Sequence, residues 1–550
     1  MPTTLEIAQK SHPVLITEVA KQASLRHEEL ELFGLYKAKV SLEVLNRLRE
    51  RPDGKLILVT AITPTKQGEG KTCTSIGLTQ ALGRLGKKVI VCIRQPSLGP
   101  MFGMKGGGTG GGYAQLVPME EINFHFTGDH HAIEYAHNLL AAIIDNHLYH
   151  GNALKIDPER LQWRRVTDVP DRALREITTE VHQGEKRLHR RSGYDITASS
   201  EIMAVLALSR DLKDLARRVG QIVVGYTTDG KPITVSDLKL QGALTLLLEG
   251  ALRPNLVQTL EGQPAFVHTG PYANIAHGNS SIIATQMALK LANYAVTECG
   301  FGSDLGLEKF VDIVSREPKF KVDCVVLVCS VKALRSHGIS KDPMIALREG
   351  FSNLLRHLEN IKKFGLVPVV CINRFPDDTQ SELQELLSLC RLQGIRSSVS
   401  EAFAKGSQGA TELAELVLSV LQEGKSRMQP LYSLESSIEE KIERIAKDLY
   451  GAKKIQYSPE AKTQSEELTR LGFGHLPINM AKSHLSLTDD PKIKGVPKEW
   501  TFHVRELRLA NGAGFIICLS GHILLLPGLP EEPIAQRITV DEEGKPGGFF

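Results

Sequence analysis

Apolar residues recur along this chain in two rhythms. Before about Lys55 they alternate with charged positions at helical spacing, as in Ile16-Thr17-Glu18-Val19-Ala20 and Leu42-Glu43-Val44-Leu45-Asn46-Arg47-Leu48. That spacing predicts helices packed on a core, interrupted by Phe33 to Val40. From Leu56 onward the apolar positions gather into short unbroken runs: Leu56–Val59, Lys88–Ile93, Asn293–Glu298, Cys324–Cys329 and Leu366–Asn373. Runs of this length, separated by helix-like stretches such as Ser75 to Leu82, predict strands buried on both faces of a parallel sheet.

Between about Leu154 and Ala284 the pattern changes. Amphipathic helical spacing covers Ile202 through Leu215, and Thr228-Asp229-Gly230-Lys231 supplies a tight turn between strands Ile222–Tyr226 and Pro232–Thr234. Beyond about Gln429 a helix is predicted over Ile438 to Tyr450, then a strand-rich end at Phe502–Leu507, Phe515–Cys518 and Leu526–Pro530. The expectation is an α/β protein: a parallel-sheet, P-loop NTPase-like core from 1–150 and about 285–428, an inserted α/β domain at 151–284, and a C-terminal α+β domain at 429–550. With 550 residues the chain is long for one core.

Composition narrows the classes. Apolar residues make up 42% and charged residues 23%, ordinary globular proportions. A net charge of +3 implies neither nucleic acid nor an acidic membrane as partner. The eight cysteines lack close C-x-x-C pairs and sit mostly in apolar runs, so they read as reduced core residues. The absence of a signal-like start or a bilayer-length apolar run makes a cytoplasmic enzyme the expectation.

The chemistry begins where the first strand ends. Thr65-Lys66-Gln67-Gly68-Glu69-Gly70-Lys71-Thr72 joins a strand to a helix, the setting that makes a phosphate loop credible. Gly68 and Gly70 let backbone amides turn toward an anion, and the helix offers its positive end to the same phosphates. In that reading Lys71 reaches the terminal phosphates of a bound nucleotide and the Thr72 hydroxyl binds Mg2+. Thr65 departs from the strict pattern, standing where its first glycine belongs. The bland reading is a tight glycine turn. Arg94, at the carboxyl end of the Lys88–Ile93 strand, places a second cation beside the transferring phosphoryl group. Glu298 ends its own strand as a carboxylate suited to magnesium, with Asp304 competing for that role. Asn373, also at a strand end, is a candidate for a purine edge. The run Gly103 to Tyr113 holds seven glycines and reads as close backbone approach to a ligand or a moving lid rather than a linker.

Several stretches together carry a resemblance. The glycine loop, Arg94-Gln95-Pro96-Ser97-Leu98-Gly99-Pro100, the glycine run, Phe126-Thr127-Gly128-Asp129, Asp195 to Ala204, Pro271 to Gly278, Thr297 to Asp304 and Met480-Ala481-Lys482 resemble the formate–tetrahydrofolate ligase family. The resemblance implies ligation of formate to tetrahydrofolate with ATP and Mg2+, by way of formyl phosphate, in a homotetramer. It implies substrate contacts at Arg94, Gln95 and Asp129. It also implies a flat pterin sandwiched by Phe375 and Phe403, where the family commonly has tryptophan at the second position; without the resemblance, core packing is the reading for both. Gln95 stands where many members carry a glutamate linked to a monovalent cation, which weakens that expectation. The cluster His125, Asp129, His130, His131, Glu134 and His137 lacks the order of a helical zinc site. Two other readings stand beside this one. Lys66 with Lys71 and Thr72 matches the deviant phosphate loop of dimeric ATPase switches, and an inactive family member could serve as a scaffold.

Overall fold

The computed structural model describes residues 2–103, 107–183, 186–521, 523–542, 544 and 546–548; Met104, Lys105 and Gly106 of the glycine run lie outside the described residues. Its largest feature is a mixed sheet of 12 strands. Seven of them are parallel neighbours. In chain order they are β1 Lys55–Ala61, β2 Val89–Ile93, β3 Pro264–Val267, β4 Tyr294–Gly302, β5 Val322–Cys329, β6 Pro368–Asn373 and β7 Ser397–Ser400. Across the sheet they stand β3-β2-β4-β1-β5-β6-β7.

The unbroken apolar runs form these strands because both faces of the sheet are covered. Along β1, Leu56 and Leu58 enter the core on one face while Ile57, Val59 and Ala61 enter the core on the other. β5 divides the same way, with Val325, Leu327 and Cys329 against Cys324, Val326 and Val328. From β1 the chain builds β2 and β3 to one side and β5, β6 and β7 to the other. That reversal opens a crevice at the carboxyl ends of the strands.

Residues 255–267, grouped on sequence with the inserted segment, hydrogen-bond into this sheet. Asn255–Thr259 pairs antiparallel with β3, and β3 lies parallel to β2. The interruption at Phe33 to Val40 is the turn and second strand of a hairpin, Leu30–Leu32 with Ala38–Val40, which extends the same edge. The predicted hairpin in the inserted segment forms as Val223–Tyr226 against Pro232–Thr234, with Gly230 at φ +81° in the turn.

Three expectations change. The run Phe502–Leu507 breaks at Arg505 into Thr501–Val504, which pairs with Lys454–Tyr457, and the start of Glu506–Ala510, which pairs with Phe515–Leu519. The helical spacing over Ile202 to Leu215 divides into Glu201–Leu208 and Leu212–Gln221, because the Asp211 carboxylate caps a new helix by accepting from the Asp214 N–H at 2.7 Å. Leu526–Pro530 is not a strand: Pro527 and Pro530 lack the N–H a ladder requires, and Leu529 instead donates to the Pro170 carbonyl at 3.1 Å. The C-terminal part forms a three-stranded sheet, Ile478–Ala481, Glu506–Ala510 and Phe515–Leu519, whose apolar residues join the core on one face of the main sheet. Among the described residues no helix is long and apolar enough to cross a membrane.

Candidate active site

The loop after β1 is held from behind. The backbone N–H of Thr63 donates to Nε2 of His357 at 2.8 Å, which leaves that ring's proton on Nδ1, directed to the Ser303 hydroxyl 2.8 Å away. The second histidine, His337, donates from Nε2 to the Thr63 carbonyl at 3.0 Å and accepts the Gly495 N–H on Nδ1. Burial lowers both imidazoles, His357 to about 4, so both are neutral orienting groups at pH 7.

The loop's own Glu69 is buried. It accepts from Thr65 N–H at 2.7 Å and from the Ser330 hydroxyl. Asn373, expected at a purine edge, donates its amide to the Glu69 carbonyl at 3.1 Å. A Cβ on Gly70 would lie 2.3 Å from that amide nitrogen, and Gly70 has φ +74°, so both space and backbone require glycine there. Lys66 and Gln67 are exposed at the tip, with Lys332 bonded to Gln67.

The helix that follows, Lys71–Arg84, starts on Gly70 with no side-chain cap and no acidic residue in its first turn. Its first N–H groups and Lys71 therefore present a positive end to the crevice. Thr72 donates its hydroxyl proton to Glu298 Oε2 at 2.9 Å, and Arg94 Nε meets Glu298 Oε1 at 3.3 Å. Spatial order explains the meeting: β4 lies between β1 and β2, so its carboxylate sits between the ends of its neighbours. Burial alone pushes the Glu298 carboxyl up. The Arg94 charge, the Thr72 hydrogen bond and Lys71 outweigh it and hold the group below the usual carboxylate range.

Beside this cluster is a cavity of about 260 Å³, lined by Thr72, Arg94, Gln95, Glu298, Gly108 and Tyr272 among others. Gln95 is buried, and its Oε1 has no partner among the described residues. Four expected site residues thus gather in one place: Thr72, Arg94, Gln95 and Glu298.

The aromatic pair lies at the other end of the same edge. Asn373 and Ser400 are register partners at the ends of β6 and β7, which sets the loops that follow them side by side, with Phe375 in the first and Phe403 in the short helix Ala402–Lys405 just after the second. An ion pair between Arg374 and Glu401 at 2.8 Å ties those loops together. Phe403 is 37% exposed, and its carbonyl accepts the Tyr113 N–H at the end of the glycine run.

Two carboxylates are placed elsewhere. Asp129 is buried against Lys39 at 2.7 Å and accepts from Asn255 at 2.7 Å; it does not line the cavity. Asp304, the rival of Glu298, forms a buried pair with Lys482 at 3.0 Å. Tyr272, Ser330 and the backbone around Gly300 were missed by sequence reasoning. Tyr272 and Gly300 lie in stretches that carry the family resemblance, yet nothing local assigns either a role, and the fold is what brings all three to the site.

A comparison with protein families matches residues 2–550 to the family described as formate–tetrahydrofolate ligase. The chain belongs to that family. It is therefore placed among carbon–nitrogen ligases of one-carbon metabolism that use ATP. Among solved structures, the apo form of translation elongation factor SelB from Methanococcus maripaludis matches 26% of this chain and 29% of its own length, at 15% identity and a TM-score of 0.17, a likeness that carries no argument.

Proposed function

We propose that this family member ligates formate to tetrahydrofolate in two steps at the crevice described above. The observation that carries the reading is the convergence of Thr72, Glu298 and Arg94 at an uncapped helix N-terminus that begins with Lys71. In this reading the loop from Thr65 to Thr72 cradles the phosphates of ATP through backbone N–H groups, with Lys71 at the terminal phosphates. Formate is a poor electrophile, so one of its oxygens first attacks the γ-phosphoryl group, giving formyl phosphate and ADP. N10 of tetrahydrofolate then attacks the formyl carbon, phosphate leaves with the C–O bond's electron pair, and the proton that N10 loses is taken up by the departing phosphate. Arg94 and Lys71 offset charge on the group in transit. The attacking amine is already a nucleophile, so positioning matters more than a strong base.

A hydroxyl whose proton is given to Glu298, beside a carboxylate kept ionised, is a hard oxygen donor set that fits Mg2+. When bound there the ion would neutralise phosphate charge. Gln95 is proposed to line the formate and formyl phosphate side, where its side-chain amide N–H is the group able to donate to an anion. Phe375 and Phe403 are proposed to stack the pterin. Asn373 is proposed to act through the loop it holds, and Asp129 through its buried ion pair. The reading also brings the three-unit division of the chain, a P-loop core, a homotetramer and a cytoplasmic setting.

The test is ATP consumption and formyltetrahydrofolate formation measured with and without formate and tetrahydrofolate. Product that requires all three substrates supports the reading; ATP hydrolysis stimulated by neither acid nor folate overturns it. Lys71→Ala is expected to lose on the order of a hundredfold or more in kcat, and full activity in that variant would remove the phosphate site.

A further inference from the structure

Arg94 has a floor. A Cβ built on Gly300 would lie 3.0 Å from Nη1, 3.1 Å from Nη2 and 3.2 Å from Cζ of Arg94. Three near-equal distances put the position of that Cβ over a face of the guanidinium, so the group covers the side of Gly300 where a side chain would stand. No other atom is nearer to that Cβ position.

The floor is made by an irregularity in β4. Pairing with β1 passes from Glu298 opposite Val59 to Gly302 opposite Ala61, so four steps on β4 match two on β1. Extra residues of this kind twist a strand and re-aim its side chains. Phe301, next to Gly300, has φ +62°, a left-handed conformation that costs a non-glycine residue free energy. Contacts from every side hold it. Gly300 donates to the Gly278 carbonyl at 2.6 Å, and Asn279 donates to the Glu298 carbonyl at 3.0 Å. From the C-terminal part, His484 packs its ring on Phe301 at 4.9 Å between centroids, and Lys482 pairs with Asp304 at 3.0 Å.

We propose that Gly300 is a positioning residue: the bulge from Glu298 to Gly302 exists to lay a bare Cα under the Arg94 guanidinium, fixing its plane while Glu298 fixes its Nε. The inference rests on the reading that Arg94 acts on the transferring group. Gly300 itself has no left-handed φ, so its backbone accepts alanine. The added methyl meets the tip of Arg94 at a distance that requires the guanidinium to move by a few tenths of an ångström, and the fold absorbs that shift in a flexible side chain.

The test is a double-variant cycle with Gly300→Ala and Arg94→Lys, all four proteins compared at equal concentration of folded enzyme. Gly300→Ala is expected to keep its thermal midpoint and its KM for ATP and to lose about tenfold in kcat, since small misplacements of a positioned group carry costs of that order. Lysine has charge but no planar fork. In the Arg94→Lys background, Gly300→Ala is therefore expected to change kcat by less than about twofold. Wild-type kcat in Gly300→Ala overturns the proposal, and so does an equal loss in both backgrounds, which would mark a merely structural glycine. An Arg94→Lys protein with unimpaired kcat would instead remove the reading of Arg94 beneath it, and the proposal with it.

Discussion

Glu298 and Glu308 stand ten residues apart, on either side of the β4 bulge, and both are shut off from water, at 3% and 0% exposure. Their carboxyls are driven in opposite directions. Burial pushes each of them up. At Glu298 the Arg94 guanidinium, the Thr72 hydroxyl and Lys71 reverse that push and keep the group ionised. At Glu308 neither oxygen has a partner among the described residues, and Asp312 and Asp304 add to the burial, so its carboxyl is held well above the usual range despite Lys309. The same residue type at the same depth thus has its carboxyl lowered at the strand ends and raised behind them. Depth alone does not set charge state. The cations that collect at the crevice do, and a buried carboxylate stays ionised only where they are already assembled.

The most severe way to break this contrast is to remove the cation. Arg94→Ala leaves Glu298 buried without its largest favourable charge and removes one donor from the transferring group. Formyltetrahydrofolate formation is expected to fall by about a hundredfold or more in kcat, the usual cost of one such contact. A variant that keeps a tenth of wild-type kcat would show that Arg94 serves only the carboxylate.

Exchanging each glutamate for its neutral isostere sharpens the contrast, because the two variants are expected to differ in activity and in the sign of their pH dependence. Glu298→Gln removes the anion that orients Arg94 and is expected to lose at least about tenfold in kcat. Its carboxyl is lowered in the folded protein. The stability it contributes is present above its unfolded value of 4.5 and is lost as pH falls through the lower folded value. Thermal midpoints of wild type and variant should therefore converge in acid. Glu308→Gln is expected to keep kcat within about twofold, since Glu308 does not line the crevice cavity and glutamine has nearly the same shape. Its carboxyl is raised, so the folded state holds a proton that the unfolded state releases above 4.5. Wild-type stability then falls with rising pH, by at most about 1.4 kcal/mol per unit, until the folded value is passed. The midpoint of Glu308→Gln relative to wild type should climb from pH 5 to pH 7. A flat difference across that range would mean that Glu308 is ionised like its neighbour.

How much of this was legible in the sequence follows the same division. Thr65 to Thr72 announced itself, because a glycine loop between an apolar run and a helical one is a local pattern. Glu298 and Arg94 were each legible as polar residues ending apolar runs. Their meeting was not, since it depends on β4 lying between β1 and β2, and periodicity carries no information on strand order. Asn373 was placed at the right strand end, yet its amide turns back to the Glu69 carbonyl, a contact fixed by the absent side chain of Gly70. Asp129 reads as a substrate contact and Asp304 as a rival magnesium ligand. Only the fold shows that lysines 39 and 482, distant in sequence, have already taken them.

The gentlest test changes the crevice edge without touching charge. Phe403 lies on the β7 side of the sheet, away from Arg94 on β2, and is partly exposed: its carbonyl accepts the Tyr113 N–H, and Gly111 lies close against its ring. If electrostatics at the strand ends governs the chemical step, an apolar face here should govern substrate binding alone. Phe403→Ala removes one stacking surface, a contribution of about 0.5–1.5 kcal/mol beyond area burial, which corresponds to roughly a two- to tenfold rise in KM for tetrahydrofolate. KM for ATP and kcat should stay near wild type, and Phe403→Trp should lower KM for the folate by enlarging the face. A fall in kcat as large as that of Glu298→Gln, with KM unchanged, would place the ring in the chemical step and erase the distinction between the two ends of the edge.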